Sequence, residues 1–317
     1  MLRSLTSGVS AMQQFQQQMD VIGNNIANVN TTAFKGARID FEDSFSQTLS
    51  TGSGGSSMQV GTGVGTSAIS NQFIQGAISN TGNNADLAIT RNGFFVVRDS
   101  LNNSDFATRD GSFHIDNGFL VNSSGMRVQG FSDSSLTTRG DVVIDGNDMQ
   151  ATRVATANAA ITAANAAVAA ANPADPVAVA AANLQLTNAQ ASLTTAQSLK
   201  MASFNIDPEG KINLRLSDGT EYVRGQVLLQ NFSNPQALSK EGSNLFSGLD
   251  IAGALPQTAA PGTNGLGAIQ SGALEGSNVD LANEFSSLIT TQRAFQASAR
   301  IITTSDEILQ ELVNLKR

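Results

Sequence analysis

Both ends of this chain carry an apolar stripe at helical spacing, and neither stripe can be buried by its own helix. Near the start, Leu2, Leu5, Val9, Met12, Phe15, Met19, Ile22, Ile26 and Val29 follow in steps of three and four. That spacing puts them on one face of a helix over residues 2–29. Near the end, Leu281, Phe285, Leu288, Gln292, Phe295, Ala299, Ile302, Asp306, Leu309 and Val313 alternate steps of four and three, and eight of the ten are apolar. This is a heptad seam of the coiled-coil kind. A narrow seam buries little unless it meets a matching one, and isolated helices are marginal in water. The two ends are therefore expected to pair with each other or with neighbouring copies. They are also expected to be disordered in the free monomer and to order on assembly.

Between the ends the period changes. Residues Ser46 to Gly65 are rich in Gly, Ser and Thr and read as a flexible or extended connection. From Asn71 to Asp145, short runs alternate with period two and are punctuated by Asn92-Gly93, Asp110-Gly111, Asn117-Gly118 and Ser124-Gly125. These are hairpin signals. The pattern returns after residue 200, with Asp207-Pro208-Glu209-Gly210 and Ser217-Asp218-Gly219 as its turns. The two blocks are expected to form one antiparallel β domain.

Ala151 to Lys200 interrupts them and is dominated by Ala. Val154, Ile161 and Val168 recur every seven residues and alternate with Ala157, Ala164 and Ala171. Beyond Asn172-Pro173-Ala174-Asp175-Pro176, Val179, Leu186 and Leu193 do the same with Ala182, Ala189 and Ala196. Large-small alternation on two arms predicts a closely packed helical hairpin. The fold class is thus α+β: paired N- and C-terminal coiled-coil helices, an antiparallel β-rich centre and an inserted Ala-rich hairpin. The expected division is a terminal helical domain at 1–30 plus 279–317 and a connector at 31–70. The β domain would span 71–150 plus 201–278, and the hairpin 151–200.

Composition narrows the function. The net charge of −8 leaves no basic surface for a phosphate backbone, so no nucleic-acid partner is expected. There is no Cys and one His, which excludes thiolate chemistry and multi-histidine metal sites. His114, in DGSFHID, lacks a Gly-x-Ser-x-Gly elbow nearby and reads as a surface or interface residue. Gly61-Thr62-Gly63-Val64-Gly65 lacks the lysine of a phosphate loop. Asp141, Asp145 and Asp148 lie in ordinary turn chemistry, not at calcium-loop spacing. No catalytic, cofactor or metal site is expected, and no membrane insertion. The N-terminus lacks the apolar core of a cleaved signal peptide. A secreted adhesion module on a coiled-coil stalk, or a hydrolase using His114, are the competing classes.

VIGNNIANVNTTAFKGARIDFED (Val21 to Asp43) resembles the signature of the bacterial flagellar rod and hook axial family. GALEGSNVDLANEFSSLITTQRAFQASARIITTSDEILQELVNLKR (Gly272 to Arg317) resembles the family's other end. NTGNNADLAITRNGFFVV, TRDGSFHID and VRGQVLLQNFSNPQALSKEGSNLF are also similar to family segments. The resemblance implies a structural subunit, exported without a cleaved signal peptide through the flagellar export apparatus, that polymerises with itself into a tube. The paired terminal helices would form the inner layer around the channel. It also implies contacts with neighbouring rod and hook–filament junction proteins and with a hook cap. GALEGSNVDL and GQVLLQNF look most like the hook branch, whose tube is a flexible torque-transmitting joint. The distal rod branch, a rigid drive shaft, is the alternative. The expected assembly seam is Leu5, Val9, Met12, Met19, Ile22 and Ile26 against Phe285, Leu288, Phe295, Ile302 and Leu309. The family signature is carried by Asn24, Asn25, Asn28, Asn30, Phe34 and Lys35, with the four Asn residues ending the first helix.

Overall fold

Four helices are present among the described residues of a computed structural model, which covers 2–51, 57–171, 176–254 and 258–315. They are α1 (Leu2–Ala27), α2 (Asn147–Ala170), α3 (Pro176–Gln197) and α4 (Leu281–Leu315). The strands between them pair antiparallel, so the chain is mixed α+β with a β-rich centre. No helix among the described residues is long and apolar enough to cross a membrane. The chain divides into two units. One comprises Met1–Ser79, Asn234–Ser239 and Glu275–Arg317, and the other Asn80–Ser233 and Lys240–Leu274.

In the second unit the main sheet runs through Met201–Ile206, Lys211–Leu216, Glu221–Val227, Arg127–Phe131, Phe94–Arg98, Asp105–Thr108 and Leu245–Ser247 in spatial order. Lys211–Leu216 shows why an alternating run becomes a half-buried strand. Ile212, Leu214 and Leu216 are buried, while Lys211, Asn213 and Arg215 point away. Phe94–Arg98 lacks that alternation, and its first four residues are all buried because it lies inside the sheet with both faces covered. Phe95, Val97, Val128, Ile212, Leu214 and Val227 belong to the core. Phe95 meets Phe113 edge-on with ring centroids 5.1 Å apart.

The turn signals divide. Asn117-Gly118 joins His114–Asp116 to Phe119–Val121 with φ of 48° and 82°, the backbone that a two-residue hairpin turn requires. Ser124-Gly125, Asp207–Gly210 and Ser217–Gly219 also join paired strands. Asn92-Gly93 and Asp110-Gly111 do not. Leu87–Thr90 leaves its neighbour to pair with Ala268–Ser271, and Phe94–Arg98 pairs with Asp105–Thr108 and Arg127–Phe131 instead. Tertiary pairing overrode local turn chemistry at both.

α2 and α3 pack along one another in opposite directions. Gln150 near the start of α2 donates to the Gln197 carbonyl at the end of α3 at 2.8 Å. Ala157, Ala164, Ala182, Ala189 and Ala196 are buried. Residues 172–175, which include most of the expected turn, lie outside the described residues. Arg153 of α2 is paired with Asp218 and donates to Thr220 Oγ1 at 2.9 Å, which ties the helix base to the neighbouring strand turn. Replacing Ala189 with Leu puts three more carbons into this close contact. We expect a loss of about 1–3 kcal/mol, read as faster amide hydrogen exchange across residues 176–197. Unchanged exchange would mean that Ala189 is not a packing residue.

In the first unit, the Gly-, Ser- and Thr-rich stretch expected to be flexible or extended contains paired strands. Ala37–Asp43 pairs with Val64–Asn71, and Ser46–Thr51 with Ser57–Gly61. Thr, Val and Ile spaced by Gly and Ser favour extended backbone. α1 also lies against Ala37–Asp43 and Val64–Asn71. Thr66 Oγ1 donates to Gln17 Oε1 at 2.5 Å and also to Gln14.

Candidate assembly surface

The candidate surface is built in the first unit from α1, α4 and the chain segments that join them to strands. The two helices run antiparallel. Gly8 lies against Ile302, and a methyl placed on it would come within 3.2 Å of Ile302 Cγ1. Phe15 and Gln18 share a groove with Thr291 and Ala294. Asn25 Nδ2 donates to Glu284 Oε1 at 3.0 Å.

The face that α4 turns to α1 is offset from the expected one. Leu288, Phe295, Ile302 and Leu309 are half-buried and alternate with buried Thr291, Ser298 and Ser305. The Thr291 and Ser305 hydroxyls donate back to the carbonyls of Ser287 and Ile301 at 2.8 and 2.7 Å, so burial leaves neither unpaired. On α1, Ile22 is buried, and Leu5, Met12, Met19 and Ile26 are half-buried. Val9 and Phe285 are less covered than the other seam residues. They are 42% and 48% exposed.

Two further apolar rows on α4 are open. Leu281, Phe285 and Ile289 form one, and Ile301, Ile308 and Leu312 the other, each at least 40% exposed. Helical steps of four and seven place each row along one side of the helix.

The signature residues act at the helix–strand junction in different ways. Asn28 Nδ2 donates to the Asn24 carbonyl at 2.9 Å, so it does cap the end of α1. Asn25 does something else. It is buried, receives the Ala37 N–H at 3.0 Å and donates to the Ala37 carbonyl at 2.8 Å, copying a strand partner for the first residue of Ala37–Asp43. Asn24 and Asn30 are exposed, and Phe34 is buried.

Lys35 carries the largest electrostatic commitment. Its Nζ lies 2.6 Å from Glu275 Oε1, and both side chains are fully excluded from solvent. The same ammonium donates to the Ile74 carbonyl at 2.9 Å, and Glu275 Oε1 also accepts the Gly76 N–H at 2.9 Å. Asn278 completes the junction by accepting from Gly36 N at 2.8 Å and donating to the Gln72 carbonyl at 2.7 Å. The N-terminal and C-terminal strands of the signature are thus fastened by polar groups of Lys35, Asn25, Glu275, Asn278 and Glu284. The last three were not singled out from sequence. For Glu275 and Asn278 the only local signal was the polar run within GALEGSNVDL; Glu284 lies beyond it.

The remaining sequence candidates lie elsewhere. His114 is exposed on its strand. Asp141 binds Arg127 and Gln129, both at 2.8 Å, while Asp145 and Asp148 face the buried Arg224 guanidinium at 3.4 and 3.1 Å. These carboxylates therefore serve as ion-pair partners.

Three family models match the chain. They are described as the flagella basal body rod protein over residues 5–35, the flagellar hook protein FlgE/F/G D1 domain over 88–214, and the flagellar basal body rod FlgEFG protein C-terminal over 270–315. The chain is 37% identical to the flagellar basal-body rod protein FlgG of Bacillus subtilis over 325 aligned residues, covering 100% of both chains. It is 30% identical to the flagellar hook protein FlgE of Borreliella burgdorferi over 444 aligned residues, again covering 100% of both. It is 28% identical to the hook protein FlgE of Salmonella typhimurium, covering 99% of this chain and 100% of the relative.

Proposed function

Since the chain belongs to the flagellar rod and hook axial protein family, we propose that it is the hook subunit, which polymerises into the flexible tube that carries torque to the filament. The family is structural and not enzymatic, and its place is the bacterial flagellum. The observation that carries polymerisation is the pair of open apolar rows on α4. A helix that already satisfies one partner and still presents apolar rows beside that contact has faces for further copies. On this reading α1 and α4 form a coiled coil lining the channel, and α2 with α3 forms an external helical hairpin. Leu5, Met12, Met19, Ile22 and Ile26 meet Leu288, Phe295, Ile302 and Leu309 within one copy. Val9 and Phe285 contribute between copies. Neighbouring rod and junction proteins, the export apparatus and the hook cap are its other partners. The terminal, connector, β and hairpin segments divide the chain as its sequence pattern suggests.

A joint has to exchange subunit contacts as it turns. Only 14% of residues are charged, so few fixed ion pairs resist that sliding. The resemblance of GALEGSNVDL and GQVLLQNF to the hook branch points the same way. The distal rod is the second reading. It is favoured by the 37% match to a rod protein over an alignment little longer than this chain, whereas the Borreliella hook alignment runs to 444 positions.

Electron microscopy of basal bodies from a strain lacking the gene separates the two. A complete rod with its rings and no hook is the expected outcome. A truncated rod without outer rings would move the assignment to the distal rod. Normal flagella would overturn both.

A further inference from the structure

α2 and α3 together present two unlike faces and almost no charge. Gln150 stands beside Gln197, so the antiparallel register sets Val154 level with Leu193, Ile161 with Leu186 and Val168 with Val179. These six residues are half-buried and form a ridge along one side of the pair. The buried Ala line, which includes Ala157 on α2 and Ala189 on α3, runs beside it. Beyond that line lies a groove of about 550 Å³, lined by Thr156, Ala157 and Ala160 of α2 and by Ala191, Thr195 and Ala196 of α3. Ala160 follows Ala157 by three residues and Ile161 by four, so groove and ridge flank the buried line on opposite sides. Among the described residues, no other helix or strand packs along the length of either helix.

Both faces can lose water at little cost. The groove hydroxyls of Thr156 and Thr195 donate to the carbonyls of Thr152 and Ala191 at 2.9 and 3.0 Å, so covering them strands no donor. Thr291 and Ser305 do the same where α4 is buried. Between Val154 and Leu199 the sequence holds one charge, Asp175, in the segment that joins the two helices. Asp148, Arg153 and Lys200 bound the stretch, and Arg153 is engaged by Asp218. Copies that each carry −8 repel one another, and the repulsion is least where the facing surfaces carry no charge.

We propose that the α2–α3 ridge of one copy seats in the α2–α3 groove of the next. Large side chains then fill a space left by Ala. Ridge and groove lie on opposite sides of the helix pair, so each copy engages two neighbours through different surfaces, and the contact propagates without closing. A face about 30 Å long and about 20 Å wide is roughly 600 Å², below the about 800 Å² per partner of a stable complex. The contact therefore strengthens a polymer and does not by itself make a dimer of free chains. This inference rests on the polymer reading above. It concerns the inserted helices alone and involves neither α1 nor α4.

The chain has no cysteine, so introduced thiols are unique reporters. Ala160→Cys places one in the groove. Gln190→Cys places one beside the ridge, four residues after Leu186 and three before Leu193. Both positions are exposed in the single copy, as is Ala166 on the outer side of α2, where Ala166→Cys is the control. Each full-length chain is expressed in the deletion strain, and maleimide labelling is compared between free chain and polymer. Labelling at residues 160 and 190 is expected to slow by about tenfold or more on assembly, and labelling at 166 to stay unchanged. Protection of one face alone, of neither, or equally of all three positions would overturn the proposal. Ala160→Cys/Gln190→Cys polymer treated with a short bis-maleimide is expected to give a ladder of dimers, trimers and higher multimers on denaturing gels. Dimers alone, or no cross-link, would mean that the two faces do not meet in succession, and would overturn it as well. Ala160→Glu guards against an assembly defect in the cysteine chains. It is expected to leave amide exchange across residues 147–197 of the free chain unchanged and to lower the temperature at which polymer dissociates. Equal dissociation temperatures would overturn the proposal. If the unaltered chain forms no polymer at all, the function reading itself has failed, and that outcome is visible separately.

Discussion

Glu275→Leu is expected to destabilise the helix–strand junction by about 3–5 kcal/mol, because it leaves the Lys35 ammonium buried without its counter-charge. Lys35→Met should cost a similar amount by stranding the carboxylate. The informative variant is the pair. Lys35→Met/Glu275→Leu removes both charges and should be more stable than either single change, since two apolar side chains of similar size can occupy the space. It should not recover fully. Glu275 Oε1 also accepts the Gly76 N–H, and leaving that donor unpaired costs about 1–3 kcal/mol. Amide hydrogen exchange at residues 33–37 and 272–278 reads this locally, without assuming that both units unfold together. A double variant no better than the singles would mean that the pair acts through packing and not charge.

Gly111→Ala is expected to cost at least about 3 kcal/mol in the β-rich unit. A Cβ at Gly111 would stand 1.6 Å from the Leu87 carbonyl oxygen, and that atom belongs to backbone that no rotamer change can move. Leu87 N–H donates to the Gly111 carbonyl at 3.0 Å, and the Leu87 side chain is fully buried, so relief would have to displace a core strand. Gly140→Ala is the control. Its added methyl finds only ordinary contact with Ser132, and the expected change is within about 0.5–1 kcal/mol. The chain has no Trp and a single Tyr, so Tyr222 fluorescence reports urea unfolding of this unit. Equal midpoints for the two variants would show that the close approach at Gly111 is not needed for stability.

Much of the architecture was legible in sequence because it is periodic. Ile212, Leu214 and Leu216 announced their buried face by alternation. The Ala positions of α2 and α3 announced theirs by recurring every seven residues. Asn117-Gly118 announced a turn because few dipeptides adopt two successive left-handed residues. Each of these signals involves neighbours along the chain, and the energy that enforces it is local.

What the tertiary structure alone decided is non-local. Lys35 and Glu275 are 240 residues apart, and nothing in either neighbourhood marks the other as a partner. Asn25 is one of four similar asparagines, and only the approach of Ala37 and Glu284 separates its role from that of Asn28. On α4 the apolar count favoured Phe285, which stays half-exposed, while Thr291, Ser298 and Ser305 are buried. Periodicity chose the elements and their greasy sides. The space left when distant segments met chose which residues bear the load, since steric fit and the desolvation of charge depend on what arrives from elsewhere in the chain.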